Sequence, residues 1–135
     1  MRVRNLLSGG LALLAAAAGP AAAQTGGPVP ALTTGTLAAL CAATGDDADS
    51  LRAVGYCRGV FVGIGQYHAI MTALGRLRPI FCLPDPSPSL EQLQSAFVAW
   101  VAAHPNRADE RAAEGVLRFA AATYPCAAPA PARRG

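Results

Sequence analysis

Four cysteines behind an apolar leader constrain the fold of this chain more than any other feature. Residues 1–23 begin with Arg2 and Arg4, continue as an apolar run and end in small residues, which is typical of a secretory signal peptide. The A-x-A pattern of Ala21 and Ala23 predicts cleavage after Ala23. Because an exported chain enters an oxidising compartment, we expect its cysteines to form disulfides rather than metal sites. The four are Cys41, Cys57, Cys82 and Cys126.

The size of the mature chain predicts one domain. Cleavage after Ala23 leaves 112 residues (135 − 23). Residues 24–32 and 127–135 are rich in glycine, alanine and proline, so we expect a flexible N-terminal segment and a disordered tail. The folded domain is predicted over residues 33–126, a size at which cross-links contribute much of the stability.

The charge of the predicted domain argues against a nucleic-acid partner. The whole chain has a formal net charge of +3, but Arg2 and Arg4 leave with the leader and Arg133 and Arg134 lie on the tail. Residues 33–126 hold seven arginines and eight acidic residues (7 − 8 = −1), with no basic stripe. After removal of the leader, we expect no stable membrane insertion.

Apolar periodicity predicts an all-α fold, a small four- to five-helix bundle stapled by two disulfides. The predicted helices cover residues 34–43, 49–74, 89–104 and 106–123. Thr33 or Thr34 is the expected N-cap of the first, and Ser89 with Gln92 forms a capping box for the third. The last helix is expected to carry Asp109 and Glu110 in its first turn and to pack Ala113, Val116, Leu117 and Ala120 inward. The third is expected to face inward with Leu90, Leu93, Phe97, Trp100 or Val101, and His104.

The long second helix is apolar on two adjacent faces. Its inward stripe is predicted to contain Val54, Cys57, Phe61, Ile64, His68 and Met71. The neighbouring stripe contains Tyr56, Val60, Gly63, Tyr67, Ile70 and Leu74. A helix with two apolar faces is either central in its domain or also meets a partner chain. Glycines at 55, 59 and 63 favour close approach of a neighbouring helix, with a flexible or kinked helix as the alternative.

The cysteine spacings favour one pairing among three. No C-x-x-C motif is present, which argues against a zinc ribbon or a thioredoxin-like pair. A helical hairpin across residues 44–48 can bring Cys41 to Cys57, and Cys82 in the proline-rich loop 75–88 is then left to pair with Cys126. We favour this pairing, although sequence alone allows the other two.

No catalytic constellation is visible, so we predict a protein that is not an enzyme and needs no cofactor or metal. His68 lies on the predicted buried stripe and His104 precedes a helix-ending proline, positions typical of packed or capping histidines. No serine lies in a G-x-S-x-G elbow. The acidic cluster at residues 46–49 lacks the regular spacing of calcium ligands and the final glutamate of an EF-hand loop.

Five short sequence motifs, taken in their order along the chain, resemble those of one known family. These are Cys41, G-Y-C-R-G-V-F-V-G at residues 55–63, F-C-L-P at 81–84, the helix at 90–101 followed by H-P at 104–105, and Y-P-C at 124–126. Together they resemble the Rap/Tai family of type VI secretion immunity proteins over residues 34–126. The resemblance implies a small all-helical periplasmic protein, often a homodimer, that binds a peptidoglycan amidase effector and occludes its active site.

The resemblance covers scaffold positions and supplies no motif for the toxin-contacting residues. Our own candidates for the partner-binding surface are Arg76, Arg78, Asp85 and Gln92, because exposed polar groups on a stiff loop suit recognition. An ordinary solvated loop is the alternative. The rival functions are a periplasmic stress chaperone or an orphan helical scaffold, and an enzyme is the third option.

Overall fold

The structure is a computed structural model that describes residues 31–127. Its helices are α1 (Thr34–Cys41), α2 (Ala48–Ala73), α3 (Leu90–Ala103) and α4 (Ala112–Thr123), with a 3₁₀ turn at Pro105–Arg107. Within this part of the chain there is no β-strand, and one isolated antiparallel bridge joins Thr33 to Arg111. The predicted all-α bundle is confirmed. The signal peptide, its cleavage site, residues 24–30 of the predicted N-terminal segment and residues 128–135 lie outside the described residues.

Three of the helices begin where the sequence supplies a side-chain cap. The Thr33 hydroxyl accepts from the backbone N–H of Thr36 at the start of α1. Asp47 Oδ1 accepts from the N–H groups of Asp49 and Ser50 at the start of α2. The predicted capping box at the start of α3 is present: the Ser89 side chain accepts from the Gln92 N–H, and the Gln92 side chain accepts from the Ser89 N–H. Each such cap satisfies N–H groups that the helix itself leaves unpaired.

The last helix starts six residues later than the sequence predicted. α4 begins at Ala112, so Asp109 and Glu110 precede it instead of occupying its first turn. The intervening backbone pairs with the start of α1: the Thr34 N–H donates to Glu110 O at 2.8 Å and the Gly35 N–H donates to Ala108 O at 2.8 Å. These long-range bonds hold residues 108–111 in a non-helical path.

Because α4 starts later than predicted, the residues on its inward face also differ from the predicted ones. The buried residues of α4 are Ala112, Gly115, Val116, Phe119 and Ala120. The prediction was therefore right for Val116 and Ala120 and wrong for Ala113, which is exposed, while Leu117 is half-buried.

A cluster of aromatic side chains forms the centre of the core. Phe97 of α3 is fully buried and meets Phe61 of α2 and Phe119 of α4 edge to face, with ring centroids 5.4 and 5.6 Å apart. Edge-to-face pairs add to the stabilisation from burial. The inward prediction for Phe97 and Val101 is confirmed, whereas His104 was wrongly placed on the inner face: it is exposed and stacks on Trp100.

Two disulfides join the pairs that the sequence favoured. Cys41–Cys57 links α1 to α2 inside the core, with both residues buried. Cys82–Cys126 links the loop at residues 75–88 to the segment after α4, and Cys82 is exposed. One bridge is thus part of the core and the other lies at the surface.

The predicted inward stripe of α2 is correct. Cys57, Phe61 and His68 are buried and the other three members are half-buried.

The predicted role of the three α2 glycines is wrong within this chain. A Cβ atom added at Gly55, Gly59 or Gly63 would meet nothing within 4 Å. All three glycines are exposed, because they lie on the side of the helix opposite the buried stripe. Since no helix of this domain packs against them, their small size does not serve packing inside the domain.

Candidate partner-binding surfaces

The loop at residues 75–88 is anchored first at the end of α2. Gly75 adopts a φ of +66°, a left-handed conformation that glycine tolerates and that reverses the chain after a helix. The N–H groups of Arg76 and Leu77 then donate to Met71 O at 2.9 and 3.2 Å. These bonds satisfy a carbonyl at the helix end and fix the direction in which the loop leaves.

The middle of the loop is held by His68. Its Nε2 accepts a 3.0 Å hydrogen bond from the Ile80 N–H, and its ring stacks on Phe81 with centroids 4.0 Å apart. His68 is buried, as predicted, and its role as a packed residue has a specific form here: it gives a loop N–H its acceptor. Phe81 is buried by the same contact and anchors the loop on α2.

The Cys82–Cys126 disulfide holds the loop against the segment that follows α4. The Cys82 N–H donates to Tyr124 O at 2.9 Å, beside the bond between Cys82 and Cys126. A hydrogen bond and a covalent bond therefore act at the same residue. The loop is fixed at its start, its middle and its junction with the chain after α4, so its exposed side chains project from a rigid base.

Three of the four predicted contact residues lie on this loop and are exposed. They are Arg76, Arg78 and Asp85. Among the residues that the structure describes, none of these three forms an ion pair. The fourth, Gln92, is exposed but has a structural task, because its side-chain oxygen accepts from the Ser89 N–H at 2.8 Å in the α3 capping box. No hydrogen bond within the described chain joins the four to one another.

A second surface runs along the solvent side of α2. We call it the α2 outer face, and its members are Gly55, Tyr56, Gly59, Gly63, Tyr67, Ile70 and Leu74. The four large side chains are between 53% and 66% exposed. The sequence indicated this surface as the second apolar stripe, but periodicity could not tell a buried face from an open one.

The α2 outer face carries no charge. Between residues 55 and 75 the only acidic or basic residue of the Asp, Glu, Lys and Arg types is Arg58, whose side chain contacts α3. Its guanidinium contacts Glu91 at 2.9 Å and Gln94 Oε1 at 3.2 Å, and Gln94 in turn donates to Cys41 O at 2.6 Å. Arg58 thus ties α2 to α3 and α1, and from residue 55 onward the opposite side of α2 is left without acidic or basic side chains. Large exposed apolar patches of this kind mark interaction surfaces.

The carboxyl groups whose pKa values are lowered take part in structural contacts. A hydrogen bond from Arg107, together with the positive charges of Arg107 and Arg118, lowers the pKa of Glu110 despite partial burial. Glu110 Oε2 is buried and makes no hydrogen bond of good geometry, so its 3.1 Å approach to Arg118 Nε acts as an electrostatic contact. Hydrogen bonds from Ser50 and its neighbours lower the pKa of Asp47 at the α2 cap.

The described part of the chain holds neither a metal-binding cluster nor a membrane-spanning helix. Within residues 31–127, no three His, Cys, Asp or Glu residues come together as a metal site would require. No helix in this range is both long and apolar enough to span a membrane.

The fold and its surfaces define a class: a small helical domain, held by two disulfides, that presents a rigid polar loop and an uncharged apolar helix face. A family model described as Rap1a immunity proteins matches residues 33–126 of the chain. The chain therefore belongs to the Rap1a immunity protein family and has the role of an immunity protein. No curated protein and no solved structure matches it significantly.

Proposed function

We propose that the mature protein acts in the periplasm as a non-catalytic inhibitor that binds a peptidoglycan amidase effector of a type VI secretion system and occludes its active site. The observation that carries this proposal is the anchored loop at residues 75–88 in a chain of the Rap1a family. An inhibitor must hold its contact surface in the bound shape before binding, because ordering a loop on association lowers affinity.

The loop chemistry suits insertion into an enzyme cleft. Four prolines restrict its backbone, and the exposed Arg76, Arg78 and Asp85 have no ion-pair partners in the described chain that binding would have to displace. Arginine can bind carboxylates through two parallel hydrogen bonds, which adds geometric specificity. We therefore assign these three side chains to the toxin contact and leave Gln92 as a helix-capping residue at its edge.

We further propose that the protein is a homodimer in which two copies of the α2 outer face meet. A two-fold interface places the same patch of both copies together, and an uncharged patch does so without repulsion between like charges. Gly55, Gly59 and Gly63 allow the two helix backbones to approach closely, which accounts for glycines that pack against nothing in the monomer.

The inhibitor proposal is tested with the mature, oxidised protein as bait against secreted and periplasmic fractions of its own cells. We expect one stoichiometric partner that cleaves peptidoglycan peptides, with cleavage lost at a one-to-one ratio of protein to enzyme. Arg78→Glu should weaken inhibition strongly. Arg52→Glu is the matched control, because Arg52 is also exposed but pairs with Asp49 at the start of α2, away from the loop.

Two outcomes would overturn the inhibitor proposal. A scatter of weakly bound clients, released by mild salt or competitor protein, would instead establish the stress-chaperone alternative. A stoichiometric partner that still cleaves peptidoglycan at a saturating concentration of this protein would exclude the proposal that the protein occludes the partner's active site.

The dimer is tested separately by sedimentation of the mature protein. Ile70→Glu places a charge on the α2 outer face at a side chain that is exposed in the monomer, so the fold should persist while the dimer dissociates. Ala99→Glu adds the same charge at an exposed position of α3 and should leave the mass unchanged. A wild-type protein that sediments as a monomer at high concentration would refute the dimer.

A further inference from the structure

We propose that His68 is a pH-sensitive switch: when its imidazole ring takes up a proton, the middle of the loop at residues 75–88 is released from α2. The observation that carries the proposal is the direction of one hydrogen bond, in which His68 Nε2 accepts from the Ile80 N–H at 3.0 Å. Histidine is the side chain whose charge ordinarily changes between about pH 5 and pH 8. The switch is a property of the fold and does not depend on the identity of any partner.

The hydrogen bond at Ile80 requires the neutral form of His68. A backbone N–H can only donate, so Nε2 must offer a lone pair and the ring proton of neutral His68 lies on Nδ1. In the protonated ring both nitrogens are donors, and the Nε2–H would face the Ile80 N–H. Stacking on Phe81 is open to both forms of the ring, so the bond to Ile80 is the contact that distinguishes them. Proton uptake and this bond exclude each other.

The surroundings of His68 offer no carboxylate to a protonated ring. The side chain is 8% exposed, and it forms no ion pair with any of the described residues. Besides His68 itself, the hollow that it lines between α2, the loop and α4 contains one titratable group, the phenol of Tyr67. Because an unpaired charge in such a site is costly, proton uptake is expected to accompany opening of the contact to water.

Charged groups on the neighbouring elements do not neutralise a proton at His68. The charged residues of the loop and of the hollow that adjoins it on α4 are Arg76, Arg78, Asp85, Arg111, Glu114 and Arg118. Within the described chain, none of the six forms an ion pair or a hydrogen bond with the His68 ring. The carboxylate on α4, Glu114, is already paired with Arg118 at 2.6 Å. Four of the six are arginines, which have the same sign of charge as a protonated histidine.

The opening that a proton favours is local. The hydrogen bonds of the Arg76 and Leu77 N–H groups at the start of the loop involve no titratable group, and neither does the Cys82–Cys126 bridge. These contacts persist when the bond at Ile80 is lost. Residues 78–81 lie between them and are the segment that moves off His68.

Arg78 lies in the segment that opens. If the segment is mobile at acidic pH, a partner that contacts Arg78 has to order it on binding, which lowers affinity. Weaker inhibition of the effector in acid therefore follows from the switch. This consequence rests on the proposed function, whereas the switch itself does not.

The first test is the tautomer of His68 in the mature, oxidised protein. At about pH 7.5, NMR spectra that correlate the ring protons with the ring nitrogens should show the proton on Nδ1 and a lone pair on Nε2. A proton on Nε2 at this pH would overturn the proposal, since that nitrogen could not accept from Ile80.

The second test is the protection of the Ile80 amide, which is its exchange rate relative to the intrinsic rate at the same pH. An exposed imidazole is half protonated near about pH 6.5. Because the opened state alone takes up the proton, a change from about pH 7.5 to about pH 5 should raise its population, and lower the protection of Ile80, by about 30-fold. Equal protection at the two pH values in the wild-type protein would refute the switch.

Two substitutions assign the pH dependence to one histidine. In His68→Gln the side-chain amide oxygen replaces Nε2 as an acceptor that takes up no proton, so Ile80 should remain protected at about pH 7.5 and lose its pH dependence. His104→Gln changes the other of the two histidines in the chain and should keep the wild-type change. A pH dependence that survives in His68→Gln, or that disappears in His104→Gln, would contradict the assignment to His68.

Discussion

Gly115 of α4 lies directly against Thr34 of α1, the tightest approach to a glycine in the described chain. A Cβ on Gly115 would lie 2.9 Å from the Thr34 Cβ and closer still to its methyl and hydroxyl groups. Thr34 is itself fully buried, and its hydroxyl lies within hydrogen-bond distance of the carbonyl oxygens of Glu110 and Arg111, at 3.1 and 3.2 Å. Because Thr34 is held on both sides, it has no freedom to move away from a larger residue.

Gly115→Ala is therefore expected to destabilise the domain. Inserting a methyl group into a filled contact costs about 1–3 kcal/mol, and here the backbone of α1 must shift to admit it. Gly59→Ala is the matched control, with both substitutions made in the monomeric Ile70→Glu protein so that no second copy covers the α2 outer face. The Gly59 site is open there, so the better helix propensity of alanine should raise stability by up to about 1 kcal/mol. Urea unfolding of the oxidised protein measures both, and equal effects of the two substitutions would contradict this account.

The two sites also show what sequence could and could not supply about helix packing. Spacing singled out the glycines of α2, which repeat every four residues, and passed over Gly115, which stands alone. Close approach depends on which faces of two helices meet, and that is fixed by the tertiary fold. The inward stripe of α2 was predictable because Cys57, Phe61 and His68 repeat with the helical period.

The two disulfides are expected to differ in their susceptibility to reduction. Cys82 is exposed, whereas Cys41 and Cys57 are 2% and 0% exposed. A dithiol can therefore reach the Cys82–Cys126 bridge, but not the Cys41–Cys57 bridge, without unfolding the core. Under native conditions, limited reduction followed by alkylation should label Cys82 and Cys126 first, as mass spectrometry of peptides would record. Earlier labelling of Cys41 or Cys57 would contradict the burial of that bridge.

Removing the surface bridge measures its contribution to stability. In the chain-entropy model, a bridge closing a loop of this length contributes about 4 kcal/mol, against about 3 kcal/mol for the shorter loop. The double substitution Cys82→Ser with Cys126→Ser should therefore lower the free energy of unfolding by roughly 4 kcal/mol. The pairing was predictable from sequence because a short hairpin limits the partners of Cys41, but which bridge lies in the core was not.

Glu110 is expected to make stability depend on pH in the acid range. Its folded pKa lies below the ordinary value of 4.5, first because Arg107 donates a hydrogen bond to it. A carboxyl group whose pKa is lowered on folding contributes stability above its unfolded pKa and loses it as pH falls through the folded value. Glu110→Gln should thus be less stable than wild type at neutral pH, with the difference shrinking below pH 4.5. A difference that is the same at all pH values would exclude this contribution.

The position of Glu110 illustrates why the start of α4 was missed. An acidic pair after a proline is a good local signal for a first helical turn, and nothing local argues against it. The competing partners are the N–H groups of Thr34 and Gly35, more than 70 residues earlier in the chain, which bind the carbonyl groups of residues 108–110. The contact residues on the loop could be proposed from sequence only as exposed polar side chains, since anchoring by His68 depends on the fold.

His68 is expected to control the rigidity of the loop at residues 75–88. In His68→Leu the Ile80 N–H loses its acceptor and Phe81 loses a stacking partner. An unsatisfied donor costs about 1–3 kcal/mol, which corresponds to about 5- to 150-fold faster amide exchange at Ile80 if the loop opens locally. His104→Leu is the control, because His104 is exposed and its ring stacks on Trp100 and hydrogen-bonds to Trp100 O rather than to the loop, so the Ile80 amide should exchange as in wild type. Unchanged exchange at Ile80 in His68→Leu would mean that the surface disulfide and the backbone hydrogen bonds at the two ends of the loop hold it without His68. Faster exchange there, accompanied by weaker inhibition of the effector, would tie loop rigidity to binding, since the partner would then have to order the loop at each encounter.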